Sequence, residues 1–304
     1  MAYLHEEREV FFNAVNLASV REAILPTVVE KDYYVTMILR RLSEKLGFIV
    51  FKGGTSLSKC HKVIKRFSED IDITIDEKLS QGQMRSLKHT IMEIAQDLGL
   101  MISNIDETRS RRSYNQYILE FNSVLSEVND IIPAQVLLET SFAEISYPTV
   151  ILPVNSYIGD MMKTEAPDLR ESYKLEPFEM KVQALDRTLV DKVFAICDYY
   201  LDGNVSKHSR HIYDVFKLLQ IVPQTEVFKA LVTKVREERA KSRRCPSAKP
   251  EVDMPELLRM IVDSNAYKRD YDDLTSRLLE EPLDYDTAVS ALRTIASSGM
   301  FVNP

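Results

Sequence analysis

The sequence predicts an α+β fold: an amino-terminal lobe with a mixed sheet flanked by helices, then an all-helical carboxy-terminal lobe. Three observations predict it. Over Glu7–Val20 and Val29–Leu46, apolar residues recur at spacings of three and four, which is the helical period. The period then changes. Phe48-Ile49-Val50-Phe51 is a short apolar run ending at Gly53-Gly54, and Ile71-Asp72-Ile73-Thr74-Ile75 alternates apolar with polar, so both read as strands. From about Leu185 the helical period returns and holds nearly to the end. The expected lobes are residues 1–182 and 183–304.

The elements follow in order. Thr55–Val63 is expected to be a helix with Thr55 or Ser56 near its N-cap. Ser80–Leu98 is a fourth helix of this lobe, capped by Ser80. Strand-like stretches come next at Tyr114–Phe121, Ala134–Phe142 and Thr149–Pro153. In the second lobe, helices fit Leu185–Leu201, Ser209–Ile221, Thr225–Arg239, Pro255–Val262, a stretch around Tyr271–Leu279, and Asp286–Ser298. No internal repeat or low-complexity segment interrupts them.

Composition narrows the function classes. The chain has 304 residues, 45% hydrophobic and 28% charged, with a net charge of −7. No apolar run reaches the ~18 residues of a membrane span. Met1-Ala2-Tyr3-Leu4-His5-Glu6-Glu7 lacks a basic leader followed by an apolar stretch, so no signal peptide and a cytoplasmic location are expected. Cys60, Cys197 and Cys245 have no metal-ligand spacing, and their odd number argues against a disulfide framework. An acidic chain that binds nucleic acid needs a local basic patch. The best candidate runs from Lys229 to Lys249 and includes Lys234, Arg236, Arg239, Lys241, Arg243 and Arg244; a second cluster is Arg109, Arg111 and Arg112. Either also reads as a solvated face.

The chemistry is concentrated in Lys52-Gly53-Gly54-Thr55-Ser56-Leu57-Ser58-Lys59 and Arg66-Phe67-Ser68-Glu69-Asp70-Ile71-Asp72. A strand enters a glycine turn and a helix begins. The first N–H groups of a helix suit a phosphate, and glycine lets backbone approach an anion. Thr55 and Ser56 add hydroxyls. Asp70 and Asp72, two apart on a strand, point to one face. Carboxylates held together favour a cation between them, and oxygen ligands suit Mg²⁺.

A glycine turn followed by Asp-x-Asp on the next strand resembles the signature of the polymerase-β-like nucleotidyltransferase superfamily. The fuller string Gly53-Gly54-Thr55-Ser56-Leu57-Ser58-Lys59, then Arg66 to Asp72, resembles the AbiEii/AbiGii toxin branch. Val29-Glu30-Lys31-Asp32-Tyr33-Tyr34 is similar to that family's amino-terminal helix motif. Arg187-Thr188-Leu189-Val190-Asp191-Lys192 and Arg210-His211-Ile212-Tyr213-Asp214 are similar to its second half, where a lysine and an aspartate complete the site. His211 stands where many relatives have an aspartate.

Unaided, Lys192 reads as a lysine at the rim of an apolar stripe, and Asp214 as half of an ion pair with Arg210 one turn earlier. The resemblance instead implies that Lys192 faces substrate phosphates and that Asp214 completes the site. Glu139, a lone acid in Val136-Leu137-Leu138-Glu139-Thr140, reads either as a third metal carboxylate or as a strand-end glutamate reaching solvent. The resemblance implies Mg²⁺-dependent transfer of NMP from an NTP, with Mn²⁺ as a substitute metal. Asp70, Asp72 and Glu139 would hold the metal; Gly53, Gly54, Thr55, Ser56, Lys59 and Ser68 would hold the nucleotide, with Ser68 a candidate for self-modification. It implies a toxin of a type IV toxin–antitoxin or phage-defence system, with a cognate antitoxin encoded nearby. The expected acceptor is RNA, the tRNA 3′ end foremost, held by Arg236, Arg239, Lys241, Arg243 and Arg244. Transfer to a protein hydroxyl and a non-catalytic nucleotide-binding module are the alternatives.

Overall fold

A computed structural model describes residues 2–68, 70–110, 112–125 and 132–302. Glu69 of the Asp-x-Asp string and Arg111 of the second basic cluster lie outside the described residues. The chain forms two compact units: residues 1–61 with 68–182, and residues 62–67 with 183–304.

The first unit opens with helices α1 (Arg8–Glu22) and α2 (Pro26–Lys45). Pro26 stands in the first turn of α2, where its missing N–H leaves no gap. Strand β1 (Ile49–Lys52) runs straight into helix α3 (Gly53–Lys59), and β2 (Ile71–Ile75) follows. Helix α4 (Gln81–Asp97) has the expected start: the Ser80 hydroxyl accepts from the Gln83 N–H, and the Gln83 side chain reaches back to the Ser80 N–H. Then come β3 (Met101–Ile102), β4 (Tyr114–Glu120), β5 (Gln135–Ile145), β6 (Thr149–Val154), helices α5 (Tyr157–Glu165) and α6 (Pro167–Ser172), and β7 (Phe178–Gln183).

The strands form one sheet in the order β3-β4-β5-β2-β1-β7-β6. β1 is antiparallel to β2 and parallel to β7; β2 is parallel to β5; β4 is antiparallel to β3 and β5. The sheet is therefore mixed, as expected. Two strands escaped the sequence reading. β3 is only two residues long, and β7 hides its period of two behind Glu179 and Lys181, although Met180 and Val182 are buried. The core of this unit packs Phe11, Tyr33, Tyr34, Ile38 and Leu39 from the helices with Phe51, Ile71, Ile73 and Leu138 from the sheet. Tyr34 stacks on Phe121 with ring centroids 4.2 Å apart.

The second unit is helical: α7 (Leu185–Leu201), α8 (Arg210–Leu219), α9 (Glu226–Arg239), α10 (Met254–Asp263), α11 (Lys268–Asp270), α12 (Ser276–Leu278) and α13 (Tyr285–Ser297). A π turn at Tyr271–Thr275 separates α11 from α12, so the stretch expected around Tyr271–Leu279 is a broken helix. Thr225, Asp253 and Asp284 cap α9, α10 and α13 through side-chain oxygens. Residues 62–67 are stitched into this unit: Arg66 bridges Leu279 antiparallel, the Phe67 N–H donates to Leu278 O, and the Glu280 N–H donates to Lys65 O.

Candidate active site

The glycines of the motif are part of the helix, not a turn ahead of it. α3 begins at Gly53 and its N-cap is Lys52, which makes no side-chain cap; Thr55 and Ser56 are therefore not the caps the sequence suggested. Their hydroxyls are also not open to a ligand. Ser56 is fully buried and its hydroxyl donates to the Gly53 carbonyl at 2.9 Å. Thr55 is buried with its oxygen 3.0 Å from the hydroxyl of half-buried Ser68. Lys59, expected at the nucleotide, forms an ion pair with Asp32, whose other oxygen accepts from the Tyr157 N–H. Asp32 of the amino-terminal motif thus ties α2 to α3 and α5. This accounts for Lys59 without a phosphate.

Gly53 has a positive φ of 80°. A side chain there would also meet Asp72: a Cβ would lie 2.7 Å from the Asp72 Cγ and closer still to Oδ2. Glycine is required twice, for the backbone angle and because the Asp72 carboxylate rests against its Cα.

Strand register gathers the acids. Lys52 stands opposite Asp72 across β1 and β2, Asp72 opposite Glu139 across β2 and β5, and Glu139 opposite Gln116 across β5 and β4. Paired residues share a face of the sheet. A row of four polar, half-buried side chains thus crosses four strands: Lys52, Asp72, Glu139 and Gln116. The Gln116 amide donates to Glu139 Oε1 at 2.9 Å. Glu139 is the fifth of eleven residues of β5, so it is no strand-end glutamate. Asp70 is half-buried and immediately precedes β2, rather than lying within it. Lys52 and Gln116 were missed by sequence reading, because register is not visible in one sequence.

The donor set around Asp72 and Glu139 is all oxygen, which suits a hard divalent cation. Among the described residues, no three His, Cys, Asp or Glu side chains converge to form a complete cage.

In the second unit, Asp214 is fully buried. Both its oxygens accept from Arg66, at 2.7 Å each, and Lys192 Nζ lies 2.6 Å from Oδ2. Its major partner is thus Arg66, 148 residues away, where sequence reading proposed Arg210. Burial alone would push the Asp214 carboxyl up, but the Arg66 and Lys192 cations overcome it and hold it well below the usual range. Burial draws the Lys192 ammonium down, and Asp214 opposes that only in part. Lys192 also lies 3.4 Å from His211 Nδ1, and burial together with this cation keeps the imidazole neutral.

The basic stretch is divided in two. Arg236 is buried and its guanidinium donates to the carbonyls of Ala248, Lys249 and Val252. Arg239 pairs with Asp191 and Asp198. Both are corrections to an RNA-facing assignment: they lie on the inner face of α9 with Val232 and Val235. Lys241, Arg243 and Arg244 are exposed.

Comparison with known proteins gives the family and the fold. The model of the family described as nucleotidyl transferase AbiEii toxin, type IV toxin–antitoxin system, matches residues 38–291. A search of curated proteins finds no match. Among solved structures, the fold is similar to MenT4, a nucleotidyltransferase toxin from Mycobacterium tuberculosis H37Rv, with a TM-score of 0.52 and 15% identity over 93% of this chain and 87% of that one. The family model spans most of both units, and the chain belongs to the AbiEii family of nucleotidyltransferase toxins of type IV toxin–antitoxin systems.

Proposed function

We propose that this nucleotidyltransferase moves an NMP from an NTP to the 3′-terminal hydroxyl of an RNA, tRNA foremost, with Mg²⁺ held by the paired carboxylates Asp72 and Glu139 and Asp70 just ahead of them in the chain. The observation that carries the reading is the row Lys52, Asp72, Glu139 and Gln116, with the Asp72 carboxylate seated against Gly53. Mn²⁺ fits the same oxygen donors.

The triphosphate lies at the start of α3, next to the Asp72 carboxylate that rests against Gly53. The acceptor hydroxyl attacks the α-phosphorus; the bond to the bridging oxygen breaks and pyrophosphate leaves. A carboxylate of the row takes the hydroxyl proton. When bound, the metal neutralises phosphate charge and steadies the entering and leaving oxygens. The protein's share is positioning: Gly53 fixes where Asp72 sits, and Gln116 fixes Glu139. Lys241, Arg243 and Arg244 offer an exposed cationic surface for the RNA backbone, so binding weakens with salt. Lys192 and Asp214 are assigned to holding Arg66, four residues ahead of Asp70 in the chain, since the Asp214 carboxylate already binds both cations.

The test is transfer from α-labelled NTPs to total RNA and total protein, with Asp72→Asn alongside. Label in tRNA that vanishes in the variant supports the reading; label in protein alone moves the acceptor to a protein hydroxyl.

A further inference from the structure

Three lysines are candidates for the phosphate cation, and two of them are committed. Lys59 is paired with Asp32, and Lys192 with Asp214. Lys52 differs. It is half-buried at the end of β1, directly opposite Asp72 and on the face shared by Glu139. Among the described residues its ammonium makes no hydrogen bond and no ion pair. The next residue is Gly53, whose Cα carries the Asp72 carboxylate.

We propose that Lys52 is the cation that contacts the phosphates of the bound NTP, the part the sequence assigned to Lys59 or Lys192. The inference rests on the nucleotidyl-transfer reading of the row.

The chemistry favours this residue for three reasons. An ammonium half-removed from water gains from an anion, and a polyphosphate is the strongest anion this reaction brings. A lysine at the junction of β1 and α3 adjoins Gly53, against which the Asp72 carboxylate rests. Its place beside Asp72 sets it next to the metal carboxylates without occupying their oxygens, so it shares the task of offsetting phosphate charge. Lysine is suited to this as a compact point charge on a flexible stem. It forms no bond and accepts no proton in the transfer; its role is electrostatic.

The experiment compares Lys52→Met, Lys52→Arg, Lys59→Met and Asp72→Asn in the full chain, reading thermal stability, kcat and KM for the NTP. Removing one preorganised charge-stabilising donor typically costs about 100-fold in rate. Lys52→Met is therefore expected to lose about 100-fold in kcat/KM for the NTP with little change in Tm, since no native partner is lost. Lys52→Arg, which keeps the charge, is expected to recover at least about tenfold of that loss. Lys59→Met is expected to lower Tm instead, because it strips Asp32 of its partner. Lys52→Met within about threefold of wild type, while Asp72→Asn is inactive, overturns the assignment of Lys52 alone. Lys52→Arg no better than Lys52→Met overturns it too, and covers a Met variant that folds poorly. An active Asp72→Asn overturns the underlying reading of the row, and with it the inference.

Discussion

Replacing Gly53 by alanine tests how closely the motif is built around Asp72. The added Cβ would stand 2.7 Å from the Asp72 Cγ, against an ordinary contact of 3.4 Å or more, so the carboxylate must retreat by at least about 0.7 Å. Displacement of about 1 Å at a reacting centre costs on the order of 100-fold, so a loss of some tens to about 100-fold in kcat is expected, or about 2–2.7 kcal/mol of barrier. The backbone adds its own term. An alanine at φ 80° costs about 1–2 kcal/mol, which for a chain of this size lowers Tm by roughly 2–8 °C. Gly47→Ala is the control, because a Cβ there meets nothing within 4 Å. The assay is nucleotide transfer beside a thermal melt. Gly53→Ala with kcat within about threefold of wild type would refute the claim that the glycine sets the position of Asp72.

Other expectations follow from the same geometry. Asp214→Ala leaves the Arg66 and Lys192 cations buried without their carboxylate and should cost about 3–5 kcal/mol in denaturant unfolding; a change below about 1 kcal/mol would contradict the buried cluster. The pH dependence has a definite sign. His211 is neutral in the fold with its pKa well below 6.5, so the unfolded chain takes up its proton first and stability falls as pH drops below that value, by up to about 1.4 kcal/mol per pH unit. The Asp214 carboxylate, held below its usual 3.8, keeps its contribution until pH falls under that figure and through its folded value. Equilibrium unfolding from pH 7 to pH 4 should show the first loss, and His211→Asn should flatten it. Arg236→Ala should destabilise the fold by about 1–3 kcal/mol by stranding carbonyl acceptors without changing the salt slope of RNA binding. Arg243→Glu with Arg244→Glu should weaken RNA binding and reduce that slope by about 2, and unchanged binding would remove this surface from the account.

Much of the fold was legible in the sequence because its signals are local. The helical spacing of Glu7–Val20 and the alternation of Ile71–Ile75 each state a period, and α1 and β2 follow. The Ser80 cap is a contact between residues three apart, and it forms as expected. The reading slipped where one residue type serves two ends. Gly53-Gly54 suggested a turn before a helix, yet a positive φ at Gly53 lets β1 turn into α3 at once, so the helix starts two residues early. The site was half legible. Asp72 and Glu139 were found as acids in apolar strands, but their alignment with Lys52 and Gln116 is a matter of register across four strands. The pairing of Arg66 with Asp214 spans 148 residues, and no local pattern announces it. The basic run misled for a simple reason: a helix turns its positively charged residues both ways, and Arg236 faces inward to satisfy carbonyls that would otherwise be stranded.

The central claim is that the Asp72 and Glu139 row performs metal-dependent nucleotidyl transfer to RNA. The most direct test is incubation with each common α-labelled NTP, Mg²⁺ and total RNA, comparing wild type with Asp70→Ala, Asp72→Asn and Glu139→Gln. The account predicts label at a tRNA 3′ end from a restricted set of nucleotides, lost in all three variants and on chelation of the metal. Undiminished label with Asp72→Asn and Glu139→Gln, in folded proteins, would contradict it.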